Sequence, residues 1–179
     1  ITRKFNRGTI YCSPVTGALV IHSLGVNPCY VKTIPFREPT LIEGVEVTLY
    51  DANHCPGAAL MLFKLSDGTL HLHTGDFRFD SELPDHLEIL AMQGKLANCY
   101  LDTTYASPQY TFPHQQLVIS TSLELIAPFA RDPRTLFVVG TYTIGKERMF
   151  LAAAERFNLK FFVRPNKLKI LKHLDLDLV

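Results

Sequence analysis

Apolar and polar residues alternate through much of the first half of the chain, and this period of two predicts strands. The segment LIEGVEVTLY predicts two strands around Glu43-Gly44. In the second strand one face consists of Val45, Val47 and Leu49, and the other of Glu46, Thr48 and Tyr50. Such alternation is typical of a half-buried antiparallel strand.

A hairpin is predicted next. The segments AALMLFKL and TLHLHT flank Ser66-Asp67-Gly68, where glycine can supply the positive φ of a tight turn. Shorter strands are predicted at GTIYCS, YVKTI and ANCYLD, and the last of these ends on Asp102.

Apolar spacing near 3.6 residues predicts helices elsewhere. One runs from Pro14 to about Ser23, and four more are predicted at PDHLEILAMQ, FPHQQLVISTSLELIAPFA, TIGKERMFLAAAERF and NKLKILKHL. The apolar segment TLFVVG is predicted as a buried parallel strand, and LKFFV as a further strand. Antiparallel strands followed by βαβ units indicate an α/β protein with a mixed sheet.

Composition narrows the class of protein. With 18 Lys and Arg against 17 Asp and Glu, the net charge of +1 excludes a basic field over the whole surface, so a nucleic-acid partner would need a local patch. No apolar stretch reaches the roughly 20 residues of a membrane span, so a soluble intracellular protein without a membrane partner is expected. The cysteines Cys12, Cys29, Cys55 and Cys99 form no CxxC pair and predict buried thiols.

Three side chains with metal-binding chemistry follow predicted strands. His54 comes after the strand ending at Tyr50, Asp76 after the strand ending at His73, and Asp102 at the end of another. Loops at strand ends are where α/β folds usually place their sites. One imidazole and two carboxylates suit zinc or another divalent ion, although each residue alone also fits an ordinary turn.

Four segments in order, YDANHCPGA, LHTGDFR, LDTTYASPQYTFP and GTYTIGKE, resemble the DNA cross-link repair nucleases, the Artemis and Apollo relatives in the β-CASP branch of the metallo-β-lactamase superfamily. The resemblance is greatest to the interstrand cross-link repair 5′-exonuclease type. It implies the second part of a metallo-β-lactamase αβ/βα sandwich over residues 1–110 and the beginning of a β-CASP region over residues 111–179.

The resemblance also implies roles for individual residues. His54 and Asp76 match metal ligands of the family, and Asp102 matches the acidic residue that opens its β-CASP motifs at the active site. Asp76 and Asp102 are therefore expected to be catalytic as well as metal-binding, with Zn²⁺ or another divalent metal as cofactor. Pro56-Gly57 would turn the chain and aim the His54 imidazole inward, while Cys55 is expected to pack rather than react.

The main metal-ligand cluster of the family, HxHxDH, is absent from these residues and is expected immediately before Ile1, with a later histidine beyond Val179. His71 and His73 share a strand face but align with the strand leading into TGD, which makes them weak substitutes. The chain is therefore expected to be an incomplete piece that binds metal poorly and cleaves little. Whether it is an enzyme by itself stays open, although the family is one of metal-dependent 5′-exodeoxyribonucleases.

DNA contacts are expected from three residues. Tyr105 could stack on a base, or could simply be a partly buried tyrosine. GTYTIGKE satisfies most of the P-loop pattern, but Glu147 stands where a hydroxyl is needed, so a nucleotide site is not favoured. Thr141 and Lys146 could instead hold a DNA phosphate at a helix start. Scattered basic residues could follow the DNA backbone or merely be solvated; they are Arg3, Lys4, Arg7, Lys160, Arg164, Lys167, Lys169 and Lys172.

The resulting hypothesis is a nuclear, metal-dependent DNA repair nuclease of the 5′-to-3′ exonuclease type. Its expected partners are single-stranded or 5′-phosphorylated DNA ends, cross-linked DNA and other DNA-repair proteins. The alternative is a non-catalytic, truncated DNA- or protein-binding module. An RNA-processing or hydroxyacyl-ester hydrolase of the same superfamily is a third hypothesis, because the metal chemistry is shared.

Overall fold

The computed structural model describes residues 1–174. This part of the chain divides into two compact units. Unit 1 contains Ile1–Thr104 and the chain from Ile170 onward, and unit 2 contains Tyr105–Lys169. None of the helices in the described residues has the length and apolar character needed to cross a membrane.

Unit 1 begins with two short strands that the sequence predicted, but whose parallel pairing it did not predict. β1 (Ile10–Cys12) and β2 (Val31–Thr33) pair side by side, and α1 (Pro14–His22) connects them. A Cβ added to Gly17 in α1 would lie 2.6 Å from Thr33 Cγ2, so the helix packs tightly on the pair. The order of antiparallel strands first and parallel units second was therefore wrong at the start of the chain.

The main sheet of unit 1 has the order β3-β4-β5-β6-β7. Its strands are β3 (Thr40–Ile42), β4 (Val45–Asp51), β5 (Ala59–Lys64), β6 (Leu70–His73) and β7 (Leu96–Tyr100). The first four pair antiparallel, and β6 pairs parallel with β7. The mixed sheet that the sequence predicted is thus present.

The two faces of this sheet bury different sets of residues. Val47 and Leu49 cluster with Ile34 on one face, whereas Tyr50, Leu60, Leu62 and Leu72 cluster on the other. The second face is covered by α2 (Pro84–Ala91), whose Ile89 packs against that cluster. The prediction of a half-buried strand was wrong for β4, because Thr48 and Tyr50 on its predicted polar face are buried like Val47 and Leu49 on the other.

Unit 2 is helical in its regular structure. It contains α3 (Gln115–Ile126), α4 (Glu147–Phe157) and most of α5 (Pro165–Leu171). The predictions of strands at TLFVVG and LKFFV were wrong, because residues 135–140 and 159–163 have no strand structure. Leu136 and Val138 are 85% and 86% exposed, which means that neither finds the apolar partners that a buried strand requires.

Helix α3 is shorter than predicted at both ends. His114 caps its start, with the imidazole accepting from the Gln116 N–H at 3.4 Å. Pro128 follows two residues after its last residue, Ile126, and has no N–H with which to continue the helical hydrogen bonds beyond Ala127. The C-terminal end of α3 is therefore explained by a proline, whereas apolar spacing alone predicted a helix that continues to Ala130.

Candidate active site

Strand direction brings the three predicted metal ligands to one edge of the main sheet. β5 runs antiparallel to both β4 and β6, so β4 and β6 run the same way, and β7 is parallel to β6. The carboxyl ends of β4, β6 and β7 therefore lie at the same edge. The histidine loop (residues 52–58) follows β4, the aspartate loop (residues 74–83) follows β6, and Asp102 follows β7.

The histidine loop is anchored to the start of α1. The carbonyl of Gly57 accepts hydrogen bonds from Ser13 Oγ at 2.7 Å and Thr16 Oγ1 at 3.2 Å. Gly57 has φ +84°, and an added Cβ would lie 2.9 Å from Thr16 Oγ1. Only glycine therefore fits without strain at this turn. His54 is exposed, and Cys55 is half-buried. The prediction of buried thiols was wrong for Cys29 and Cys99, which are exposed.

Hydrogen bonds join the histidine loop to the aspartate loop. The Arg78 N–H donates to the Ala52 carbonyl at 2.9 Å, and the Asn53 amide donates to the Arg78 carbonyl at 3.3 Å. Asn53 itself adopts a left-handed backbone with φ +52°, which asparagine tolerates better than most residues. The loops carrying His54 and Asp76 thus form one hydrogen-bonded layer, with Asp76 exposed on it.

Asp102 is joined to the same layer through Thr74. The Thr74 N–H donates to the Tyr100 carbonyl at 3.0 Å, and the Asp102 N–H donates to Thr74 Oγ1 at 3.0 Å. Asp102 Oδ1 accepts from the Thr104 hydroxyl at 2.6 Å and from the Thr104 N–H at 2.9 Å. These bonds, and then the nearby charge of His54, hold the pKa of the Asp102 carboxyl below its usual range.

Hydrogen bonds thus join the loop of His54 to the loop of Asp76, and that loop to Asp102. The donor atoms of these three residues are of the types that zinc and other divalent cations accept. Among the described residues, however, these three do not form a group whose ligand atoms all lie within 4.8 Å of one another. Simultaneous ligation by all three therefore requires their side chains or loops to close around the ion.

His71 and His73 lie on β6 rather than in the loops. His71 Nδ1 shares a 3.0 Å hydrogen bond with the Asn98 amide, and His73 Nδ1 accepts from the Gly75 N–H at 3.0 Å. The His73 ring also stacks on Tyr100 at 5.8 Å. Each histidine thus makes a hydrogen bond at β6, which agrees with the prediction that these two residues are weak candidates for metal ligands.

A buried polar cluster behind the loops escaped sequence reasoning. His86 and Asp85, at the start of α2, are 2% and 4% exposed, and Asp85 Oδ1 pairs with the Arg37 guanidinium. Tyr50 donates to Glu88 at 2.7 Å, and burial followed by the Glu88 bond raises the pKa of the Tyr50 hydroxyl. A polar residue in the first helical turn ordinarily indicates a cap, so the sequence held no signal for a tertiary role.

In unit 2 the predicted phosphate contacts lie in and beside the loop before α4. Thr141 and Lys146 are exposed, and Lys146 Nζ lies 4.7 Å from the centre of the Tyr142 ring. Lys146 has φ +67° and Gly145 has φ +100°, so both adopt left-handed backbone immediately before the helix. The ammonium group is thus presented to solvent beside an aromatic face.

Glu147 does not face solvent, and this alters the expected repulsion of phosphate. It is 2% exposed, and its Oε1 accepts from Lys167 Nζ at 2.6 Å and from the Gly145 N–H at 3.0 Å. Lys167 also donates to the carbonyls of Tyr142 and Thr143 at 3.2 and 2.9 Å. The Glu147 charge is therefore neutralised within unit 2, although the Gly145 N–H is already used and cannot bind a phosphate.

Tyr105 belongs to an exposed aromatic cluster in unit 2. Its ring lies 5.2 Å from Tyr110 and 5.0 Å from Phe112, both edge-on. Tyr105 is 61% exposed, so the expectation of a partly buried tyrosine does not describe it. An exposed ring held by two neighbours is able to stack on a nucleobase.

Three curated relatives are similar to this chain over most of its length. The DNA cross-link repair protein SNM1 of Arabidopsis thaliana is 42% identical over 178 residues, which is 99% of this chain and 36% of that protein. The human DNA cross-link repair 1A protein is 45% identical over 93% of this chain and 16% of its own length. The chicken 5′ exonuclease Apollo is 34% identical over 93% of this chain and 35% of its own.

The chain therefore spans little more than a third, or less, of each of these relatives. No family model matches it. Among solved structures, a protein of unknown function from Enterococcus faecalis V583 superposes with a TM-score of 0.50 at 16% identity, over 84% of this chain and 38% of that one. At this identity the likeness concerns the fold alone.

Proposed function

Because the chain belongs to the DNA cross-link repair proteins of the SNM1 and Apollo type, within the β-CASP nuclease family, we propose that it forms part of a metal-dependent DNA repair nuclease. The observation that carries this proposal is the convergence of His54, Asp76 and Asp102 at one edge of the main sheet. We assign residues 1–110 to the second part of a metallo-β-lactamase sandwich and residues 111–179 to the start of a β-CASP region.

The metal-binding role falls to the loops of unit 1. His54 would provide a nitrogen ligand, Asp76 a carboxylate that holds or bridges metal, and Asp102 its free Oδ2, since Oδ1 is bonded to Thr104. A divalent cation in such a site lowers the pKa of coordinated water and offsets the charge that develops on phosphate oxygens. The low pKa of Asp102 keeps its carboxylate ionised, as a metal ligand or a base that orients water must be.

DNA binding is assigned to exposed groups of unit 2. Tyr105 would stack on a base or on the terminal sugar, and Lys146 with Thr141 would contact a phosphate. Because Lys167 neutralises Glu147, the Lys146 charge is not cancelled by the carboxylate next to it in sequence. The substrates proposed are single-stranded, 5′-phosphorylated or cross-linked DNA, degraded from the 5′ end in the nucleus beside other repair proteins.

A second candidate function is a DNA- or protein-binding module without catalysis. It is favoured by one observation: the 179 residues contain no HxHxDH sequence, so three candidate ligands are all that the matched motifs provide. Metal content separates the candidates, because the nuclease requires a bound divalent ion and the binding module does not.

The test compares the chain alone with the same chain placed behind an HxHxDH-containing segment from one of its relatives. Zinc content is measured by mass spectrometry, and degradation is followed on single strands with a 5′-phosphate or a 5′-hydroxyl. We expect zinc and 5′-phosphate-dependent degradation in the fused protein, and loss of both on Asp76→Asn. Asp67→Asn is the matched control, since Asp67 lies in the turn between β5 and β6. A zinc-loaded fusion that degrades neither strand would contradict the nuclease proposal.

A further inference from the structure

We infer that His86 is a positioning residue that clamps the histidine loop to the aspartate loop and thereby sets the metal affinity of the site. The inference rests on the metal site of the proposed function. Its evidence is independent of the motifs, because His86 lies on α2 and is neither a predicted ligand nor part of any matched segment.

Both ring nitrogens of His86 are bonded to main-chain groups, one immediately before the histidine loop and one within the aspartate loop. Nδ1 accepts from the Asp80 N–H at 2.9 Å, and Nε2 lies 2.9 Å from the Asp51 carbonyl oxygen. Asp51 is three residues before His54, and Asp80 is four residues after Asp76. The His86 imidazole thus connects the residue before the histidine loop to the second half of the aspartate loop.

The two partners determine the proton arrangement on the ring. A main-chain N–H can only donate, so Nδ1 carries no proton, and a carbonyl can only accept, so Nε2 carries one. The ring is buried and stacks on Phe79 at 5.6 Å with an interplanar angle of 16°. His86 is therefore held as the neutral Nε2–H tautomer in one orientation.

Asp85 reinforces this clamp from the adjacent position. Its Oδ2 accepts from the Asp51 N–H at 2.6 Å, while His86 donates to the Asp51 carbonyl. Both main-chain polar groups of Asp51 are thus bonded by successive side chains of α2. This arrangement leaves the loop little freedom to move its origin at the end of β4.

Metal affinity should depend on this restraint, because ligands of a divalent ion must be held close to the bound geometry. Groups behind a metal site that orient its ligands typically change affinity by about 10- to 100-fold when removed. The ligand atoms here must also close around an ion, so loops that move independently would lose more of the binding free energy than loops joined by His86.

The test is His86→Phe in the 179-residue chain, which keeps an aromatic ring against Phe79 and removes both hydrogen bonds. Co²⁺ affinity is measured by calorimetry, and amide hydrogen exchange is followed in residues 52–58 and 74–83. We expect the Kd for Co²⁺ to rise about tenfold and exchange to accelerate in both loops. His86→Gln, whose amide can still donate to the Asp51 carbonyl, should restore protection of the histidine loop only.

Leu62→Ala is the control for a general loss of stability, because Leu62 belongs to the core cluster against which Ile89 of α2 packs and lies in β5, outside both loops. Equal changes of Kd in Leu62→Ala and His86→Phe would overturn the inference. If the wild-type chain binds no Co²⁺, its affinity is measured in the fusion that carries an HxHxDH segment, and a fusion that also binds no Co²⁺ would contradict the metal site of the proposed function. In that case exchange alone decides on His86: faster exchange in both loops supports the clamp, and unchanged exchange overturns it.

Discussion

The main sheet of unit 1 and the segments TLFVVG and LKFFV of unit 2 all had apolar patterns that predicted strands, yet only the main sheet formed them. In unit 1 each strand from β3 to β6 pairs with the next one along the chain, so a turn of a few residues brings the partners together. In residues 135–140 the pattern predicted a buried parallel strand, which requires partners that are distant in sequence. Distant partners do form parallel pairs in unit 1, where α1 connects β1 to β2 and α2 lies between β6 and β7. An apolar pattern therefore becomes a strand only where the fold supplies a partner strand.

Unit 2 owes part of its order to a polar contact rather than to an apolar core, and removing that contact should have the largest effect. Lys167→Met would leave the buried Glu147 carboxylate without its cation, and we expect a loss of about 3–5 kcal/mol in the stability of unit 2. Hydrogen exchange measured at increasing urea concentration resolves the two units.

The double variant Lys167→Met with Glu147→Gln is the control, because it removes the uncompensated charge as well. It should regain most of the stability lost in the single variant. If the single variant unfolds unit 2 no more readily than the wild type, the contrast between a polar anchor in unit 2 and an apolar core in unit 1 fails.

Two leucines test the same comparison directly. Leu72, 3% exposed in the main sheet, should cost about 2–5 kcal/mol when replaced by alanine, since a cavity is left in the core. Leu136, 85% exposed in unit 2, should change stability by no more than about 0.5 kcal/mol on the same replacement. Urea unfolding monitored by hydrogen exchange compares them; a large effect of Leu136→Ala would mean that residues 135–140 pair with a partner in solution.

The smallest expected effect is a change in the pKa of Asp102, at the edge of the main sheet in unit 1. Thr104→Val removes the hydroxyl that favours the Asp102 carboxylate, so the pKa of Asp102 should rise toward its usual value. His54→Ala should raise it by less, because the His54 charge is a weaker contribution than the Thr104 bonds. Carboxyl NMR titration measures both, with Thr103→Val as the matched neighbour that should leave the titration unchanged.

The sign of the pH dependence follows from the lowered pKa of Asp102. Its ionised form stabilises the native state fully above the pKa of an unfolded aspartate, about 3.9, and the contribution is lost as the pH falls through the lower native value. In Thr104→Val the native pKa of Asp102 approaches its unfolded pKa, so Asp102 contributes less to the stability of the native state. An unchanged titration in Thr104→Val would show that the hydrogen bonds do not control the charge of Asp102.

The sequence was a good guide to the sheet and to the location of the ligand loops, because both depend on local signals. Alternation in β4 and the glycine at position 68 predicted the strands and the hairpin of β5 and β6. The sequence placed the three candidate ligands at strand ends, and the strand directions of the structure bring those ends to one edge. The parallel pairing of β1 with β2 was missed because Ile10 and Val31 are 21 residues apart and their short strands carry no period that reveals the partner.

Sequence reasoning also missed the buried polar side chains that bond to loops, both before α4 in unit 2 and after β4 in unit 1. Lys167 was one of several scattered basic residues, and only the fold places its ammonium group on Glu147. His86 and Asp85 looked like ordinary residues of a helix start, since nothing in the pattern of α2 connects them to Asp51. Side chains that act across the fold leave no mark in a local pattern.

The strand directions of the main sheet also place its connections at two opposite edges, of which only one carries the proposed metal ligands. The turns at Glu43-Gly44 and Ser66-Asp67-Gly68 lie at the edge opposite the ligand loops, and open space surrounds both Gly44 and Gly68. A fluorophore or surface tether attached at these turns would lie at least the length of a strand from His54, Asp76 and Asp102. These turns are therefore suitable positions for immobilisation or for a single-molecule label, because they lie at the opposite edge of the main sheet from the three proposed ligands.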